Sequence, residues 1–369
     1  MMIKHTICPS CSVGCGINLI NRDEVVIGTY PYKKHPVNEG KNCIKGRDSF
    51  EKVNNQQRIK TPMIKKNNAF NGVDWEKSLK FISEKLKTYS PNELGIIASG
   101  TNTNEEAEII NSFASSYGVT QIGYYSGEFP EFDEQVASMD EINNSDFIFI
   151  IGDVLKDNPL IGRRIILAKE KGAEIASVDT LNISTTSMNS DKYLQVDSIS
   201  EFMDNGFKEI IDNLTESSII IFNKLDDKND FEKILRVSKM NKSKILPVLK
   251  ECNSKGVMDH ITPMNTSQIK DLISKVKVLM IIQDDTASYI GESEFKGLDL
   301  LIIIATSTNE TTNLADIILP GTCWAEKEGS FTNSAGNTQN FSKVVNAPEN
   351  ALEDALILHK IAENVGIDL

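Results

Sequence analysis

From about Asp74 onward the chain alternates between two hydrophobic spacings, and the alternation predicts helices and strands in turn. Trp75–Tyr89 sets apolar residues at helical spacing, with Asp74 placed to cap the first turn. Leu94–Ala98 is a short apolar run. The stretch SGTNTNEEAEIINSFASSYG after it reads as a polar turn and an amphipathic helix closed by Gly118. Asp146–Gly152 (DFIFIIG) is a stronger strand signal, Leu160–Lys171 a helix ending at Gly172, and Glu174–Val178 the next strand. Residues 146–178 are thus a βαβ unit. Strand-like runs recur at Ser218–Phe222, Lys244–Val248, Lys277–Ile282 and Leu298–Ala305. Such repetition implies parallel sheets covered by helices. Residues 1–59 lack the pattern and read as irregular and turn-rich.

Composition narrows the classes. The 369 residues are 40% hydrophobic and 25% charged, which supports an ordinary globular core. The formal net charge of -13 disfavours nucleic acid and anionic membranes as partners. No apolar run approaches the ~18 residues of a membrane span, and MMIKHTICPSC has no apolar signal core. The expectation is a cytoplasmic protein with no direct membrane insertion.

Four of the six cysteines fall within the first 43 residues, spaced Cys8-x2-Cys11-x3-Cys15-x27-Cys43. Three thiolates close in sequence can wrap one side of an iron–sulfur cluster, and a distant fourth can close it. A [4Fe-4S] cubane accepts this spacing, and a [2Fe-2S] cluster also needs four thiolates. Structural zinc more often uses two close pairs. The glycines beside Cys15 are expected to let amide N–H groups approach the cluster sulfurs. Cys252 and Cys323 stand alone and read as small buried hydrophobes.

Around these cysteines the chain resembles the molybdopterin oxidoreductase superfamily, and within it the formate dehydrogenase alpha subunit. CPSCSVGCGINL is followed by HPVNEGKNCIKGRDSF and RIKTPM, in the family's order. TNEEAEIINSFA, NNSDFIFIIGDVLKDNPLIGRRI, NSKGVMD and NLADIILPGTCWAEKEGSFTNSAGNTQ continue the series. The resemblance implies that Cys8, Cys11, Cys15 and Cys43 ligate one [4Fe-4S] cluster. It places Lys45 between cluster and pterin, where a cation would raise the cluster potential. His35, beside the cluster loop, is expected to pack or hydrogen-bond there.

Four departures from the family pattern bear on function. Asn102 stands at the family's metal-ligand position, and a neutral amide cannot replace a soft anionic thiolate or selenolate. Val178-Asp179-Thr180 and Leu194–Ser200 lack the Pro and Gly that shape a pterin-nucleotide turn. Asp153 follows Gly152 where a small residue is usual, and it is expected to stabilise the dipole of the following helix. Gln283-Asp284-Asp285, where the family often has Gly-Glu-Asn-Pro, belongs to the same departure. The chain stops at Leu369, so the family's C-terminal β-barrel-like domain is expected to be missing.

The resulting expectation is an α/β protein: a small N-terminal [4Fe-4S] domain plus two Rossmann-like α/β domains with mainly parallel sheets. The cluster domain would comprise 1–59 with 321–369, a second domain 60–140 with 262–320, and a third, Rossmann-like one 141–261. The expected function is electron relay through one [4Fe-4S] cluster within a larger complex, with iron–sulfur or flavin subunits as partners. Molybdopterin guanine dinucleotide with molybdenum or tungsten is not expected. The competing readings are an active molybdenum or tungsten formate dehydrogenase completed by another chain, and a structural zinc protein. The pattern also resembles the large iron–sulfur subunit of NADH:quinone oxidoreductase, which keeps this scaffold without molybdenum.

Overall fold

Strands buried on both faces should be continuous apolar runs, and these are. A computed structural model, which describes residues 1–206 and 208–369, places strands at Leu94–Ala98, Phe147–Ile151, Ile219–Phe222, Val278–Ile282, Leu300–Ala305 and Ile317–Pro320. Every residue in these six is buried. They divide between two mainly parallel sheets, and the fold is α/β as expected.

The smaller sheet runs Lys192–Gln195, Glu174–Asp179, Phe147–Ile151, Ile219–Phe222, Lys244–Pro247, with all neighbours parallel. In chain order this is 3-2-1-4-5, a doubly wound arrangement. The order reverses between Phe147–Ile151 and Ile219–Phe222, which opens a crevice at their carboxyl ends. The larger sheet has eight strands. Six are parallel: Pro263–Met264, Gln121–Tyr125, Leu94–Ala98, Val278–Ile282, Leu300–Ala305 and Ile317–Pro320. Met63–Lys66 and Ala69–Gly72 extend it antiparallel at one edge. Its reversal falls between Leu94–Ala98 and Val278–Ile282, so each sheet has its own switch point.

Helix ends follow their local chemistry. Asp74 accepts a hydrogen bond from Lys77 N–H at 2.7 Å and opens the helix Trp75–Leu86. Thr103 and Glu106 form a reciprocal capping box on Asn104–Tyr117. Among the described residues no helix is long and apolar enough to cross a membrane.

The N-terminal segment is more regular than its sequence suggests. Met2–Ile7, Gly16–Arg22 and Val25–Pro31 form a three-stranded antiparallel sheet. Its second hairpin turns at Asp23 and Glu24, with φ of 52° and 62°. Left-handed turns of this kind usually announce themselves as Asn-Gly or Asp-Gly, and Asp-Glu conceals this one.

The stretch 321–369 is shared between two regions. Cys323, Trp324, Phe331 and Phe341 join the core around the cysteines. The helix Asp354–Val365 instead packs on Trp75–Leu86 and Asn104–Tyr117, burying Ile357, Leu358, Ile361 and Ala362 against the larger sheet's core. Ile357→Ala should therefore lower unfolding free energy by about 2–5 kcal/mol, read from chemical denaturation, with iron content unchanged. An unaltered midpoint would mean that this helix is not docked.

Candidate cluster-binding site

Cys8 directly follows the first strand and Cys15 directly precedes the second. Cys8 N–H donates to Cys15 O at 2.8 Å and closes the loop between them. Cys43 caps the short helical turn Ile44–Arg47. All four cysteines are unbridged and line one pocket, whose walls include Val13, Ile17, Pro159 and Leu160. Gly46 keeps a side chain out of it, since a Cβ there would stand 3.5 Å from Cys8 Sγ.

Burial, with the neighbouring Cys11 charge adding to it, pushes the Cys8 thiol up to about 11. Burial likewise raises Cys11 and carries Cys15 well above the usual thiol range. Iron binding must therefore displace protons from these thiols. Hydrogen bonds from Ser10 to Cys8, and from Val13 N–H and the Asn158 side chain to Cys11, favour the thiolates. Among the described residues no three His, Cys, Asp or Glu side chains close on a point that could hold a single metal ion. A cubane spreads its four thiolates farther apart than one tetrahedral ion does, and the donor set fits the cubane better.

The glycines beside Cys15 do something other than present N–H groups. Gly14 has φ +75°, and a Cβ on it would lie 2.2 Å from Gln339 Oε1 and 2.8 Å from Asn333 Cβ. A Cβ on Gly16 would lie 2.3 Å from the His35 ring. The glycines thus admit close packing, and the donors to the thiols are Ser10, Val13 and Asn158. His35 is buried, accepts Gly16 N–H on Nδ1 at 3.1 Å and faces Gln339 with Nε2, the packing role expected of it.

Two polar residues near the thiols escaped the sequence. Arg164, 1% exposed, donates to the carbonyls of Pro36, Val37 and Met139, and its charge favours the Cys15 thiolate. Asn158 approaches Cys11 from the start of the helix Pro159–Glu170. Both lie far from the cysteines in sequence, and only the doubly wound lobe brings them close.

Lys45 lies between the cysteine loop and the smaller sheet's switch point. With Ser10, Cys11, Asn158, Asn223 and Lys250 it lines a cavity of about 390 Å³ at the smaller sheet's switch point. Its ammonium donates to Asp157 O at 2.8 Å, and its charge favours the Cys11 thiolate. A second cavity of about 240 Å³ lies at the larger sheet's switch point, lined by Thr101, Cys252, Gln283, Cys323, Trp324 and Lys327. Burial pushes the Cys323 thiol up to about 12 and raises Cys252 strongly, which favours the protonated form of both.

The departing residues are engaged by the chain itself. Asn102 is fully buried; its Oδ1 accepts Ser99 N–H at 2.8 Å, and among the described residues its Nδ2 has no partner. Asp153 occupies the N-cap position of Val154–Asp157, where its charge faces the helix N-terminus, but its side chain makes no capping hydrogen bond there. Its carboxylate accepts Thr186 N–H at 2.8 Å and Thr186 Oγ1–H at 2.9 Å, because the next crossover brings those donors to it. Asp285 repeats the device in the other lobe, accepting Thr311 N–H at 3.0 Å and Thr311 Oγ1–H at 2.8 Å. In each lobe the threonine hydroxyl also accepts an N–H two residues beyond the aspartate, from Leu155 or from Ala287. Asp179 holds the Lys224 ammonium at 3.1 Å, and Gln283 bridges Thr306 and Asp354.

Comparison with known proteins agrees with this architecture. Residues 58–364 match the molybdopterin oxidoreductase model and residues 1–55 the molybdopterin oxidoreductase Fe4S4 domain. The chain belongs to the molybdopterin oxidoreductase family. Within it, formate dehydrogenase alpha subunits are similar over nearly the whole chain. The F420-dependent formate dehydrogenase 1 subunit alpha of Methanococcus maripaludis is 29% identical, over 98% of this chain and 70% of that protein. The F420-dependent formate dehydrogenase subunit alpha of Methanocaldococcus jannaschii is also 29% identical, over 99% and 70%. The first alignment runs over 478 positions against a chain of 369 residues, so the relative carries internal segments that this chain lacks. Acetylene hydratase from Pelobacter acetylenicus shares the fold, with a TM-score of 0.73 at 15% identity over 98% of this chain and 69% of that one.

Asp284 gives this region a pH signature. It accepts from Thr286 Oγ1 and Tyr289 Oη, but burial lifts its carboxyl to about 6. A folded value above the unfolded ~3.9 means that folding favours the protonated form. The stability it contributes is complete below about pH 4 and is lost as pH rises to about 6, by about 3 kcal/mol. Asp284→Asn should flatten that part of a melting-temperature profile between pH 4 and 7; an unchanged slope would contradict the assignment.

Proposed function

We propose that this chain is an electron-relay subunit in which Cys8, Cys11, Cys15 and Cys43 hold one [4Fe-4S] cluster and the molybdopterin position carries no metal. The observation behind this reading is a contrast: the four-thiol pocket is intact, whereas Asn102 at the metal-ligand position is folded into a turn with Ser99. A buried neutral amide whose oxygen already accepts an N–H offers no soft anion to molybdenum or tungsten. Asp153 and Asp285 add to the misfit. Each carries a carboxylate already engaged with a backbone N–H, and a carboxylate beside a phosphate would repel it. The residues therefore do not fit a metal-bearing pterin dinucleotide.

When bound, the cluster would supply one-electron redox chemistry. The protein's own part is to shield it from water, donate hydrogen bonds to its sulfurs and keep Lys45 and Arg164 near it. Positive charge beside the thiolates favours the reduced form. A single cluster without a substrate site requires a donor and an acceptor, so iron–sulfur or flavin subunits of a redox complex are the natural partners. One observation favours the other reading, a catalytic chain completed by a second subunit: both switch-point crevices remain open, at about 390 and 240 Å³.

Electron paramagnetic resonance of anaerobically purified protein separates the two. Dithionite should produce a [4Fe-4S]+ signal that Cys11→Ser removes or alters, and formate should leave the cluster oxidised. Reduction by formate alone would overturn the relay and support the catalytic reading. A sample silent after dithionite would overturn both.

A further inference from the structure

The largest fully buried side chain among the described residues is a permanently charged one, Arg164. Burying a charge is costly unless hydrogen bonds replace its water, and this guanidinium is well supplied. Nε donates to Val37 O at 3.3 Å, Nη2 to Pro36 O and Val37 O at 2.9 Å each, and Nη1 to Met139 O at 3.0 Å. Two carboxylates complete the set, Asp140 at 3.1 Å from Nη1 and Glu39 at 3.5 Å from Nη2.

These acceptors come from two parts of the chain. Met139 and Asp140 flank the smaller sheet, as Arg164 does, whereas Pro36, Val37 and Glu39 belong to the N-terminal cysteine segment. Arg164 therefore bolts one part to the other through a turn closed by His35 N–H to Tyr32 O and Glu39 N–H to His35 O. On either side of the bolted carbonyls, a side chain reaches the residue that follows Cys15. Asn38 accepts Gly16 N–H at 2.9 Å and donates to Gly16 O at 3.0 Å, and His35 Nδ1 faces the same N–H at 3.1 Å. The helix Pro159–Glu170 also meets the cysteine pocket directly, with Pro159 and Leu160 in its wall. Arg164 stands one turn beyond Leu160 on the same face.

Charge points the same way. Backbone carbonyls are neutral dipoles, so they solvate the guanidinium without cancelling its charge. The Arg164 side chain is 2% exposed, whereas those of Glu39 and Asp140 are 42% and 85% exposed. Water screens the two carboxylates far more than it screens the buried cation. The Arg164 charge favours the Cys15 thiolate, while Lys45, the cation that acts on Cys11, is itself exposed.

We propose that Arg164 is the positioning residue of the cluster site: it fixes the turn that grips Gly16 beside Cys15, and its buried charge raises the cluster's reduction potential to a level set by the surface carboxylates Glu39 and Asp140. This rests on the cluster reading above and names the residues that tune it. One-electron reduction adds one negative charge to the cluster and its four thiolates and moves no atom between groups. A cation held in a poorly screened interior stabilises that added charge. The guanidinium cannot lose its proton, so its effect is constant with pH. Its two carboxylate partners are different: they face water, and whatever neutralises them from outside strengthens the field of Arg164 at Cys15.

The test is a redox titration of the full chain with its cluster loaded, followed by the [4Fe-4S]+ signal, with amide exchange of the apoprotein as a second readout. Arg164→Gln should lower the midpoint potential by about 59 mV, a tenfold loss of the reduced form at a fixed potential. Arg164→Lys keeps the charge without the planar fork. It should hold the reduced fraction within about twofold, while amide exchange across residues 32–39 speeds about tenfold. Glu39→Gln with Asp140→Asn alters only the surface partners, so it tests the proposal even where Arg164→Gln loses its cluster. It should raise the reduced form about threefold at a fixed potential. Glu134→Gln, which removes a surface pair with Lys239, should leave the potential unchanged. Equal shifts for Arg164→Gln and Arg164→Lys, or no shift for the Glu39 and Asp140 double variant, would each overturn the proposal. The unaltered chain separates the two readings: without a dithionite-induced signal both fail, and with a normal signal but unshifted variants only the role of Arg164 does.

Discussion

The site depends on one three-way junction, where the cysteine loop, the doubly wound lobe and the C-terminal hairpin meet on a pair of serines. Ser12 Oγ donates to Leu249 O at 2.5 Å, Ser334 Oγ donates to Ser12 Oγ at 2.8 Å, and Leu249 N–H donates to Ser334 Oγ at 3.0 Å. All three residues are buried, so the bonds are made away from competing water. Asn333 reaches Val13 O and Gln339 reaches Gly14 O from the same hairpin. A short loop carrying three thiols has little apolar surface with which to order itself. Its shape is imposed by partners more than 200 residues away in sequence.

The same junction reaches the position at which the family places a metal ligand. Asn253 accepts Thr332 N–H with Oδ1 and donates to Asn102 O with Nδ2, joining the hairpin to the turn after Leu94–Ala98. Asn102 is therefore held by its backbone as well as by its side-chain bond to Ser99 N–H. The paired Asp–Thr contacts of Asp153 and Asp285 fasten a matching loop in each lobe. On the proposed reading, the scaffold that once positioned two nucleotides is now tied together by its own carboxylates, and it serves to hold the cluster rigid.

Much of this was legible in the chain. The strands Phe147–Ile151 and Val278–Ile282 are buried on both faces, so their apolar runs are unbroken, and the cysteine spacing fixed a candidate donor set before any geometry. Features that depend on tertiary contact were not legible. The N-terminal sheet was hidden by an Asp-Glu turn in left-handed conformation and by the density of turn residues around it. The reason for Gly14 and Gly16 lies in side chains of Gln339 and His35, which no local pattern predicts. The bond from Thr186 to Asp153 was hidden because the crossover that brings it lies 33 residues further on. The stretch after Gly321 read as one piece, whereas its hairpin packs with the cysteines and its helix with the larger sheet.

The central claim is that the cluster is the only redox group this chain carries, and metal stoichiometry tests it most directly. Protein purified anaerobically from cells supplied with molybdate and tungstate should contain about four irons per chain, with neither molybdenum nor tungsten above background. Molybdenum or tungsten approaching one atom per chain would contradict the account, as would zinc in place of iron.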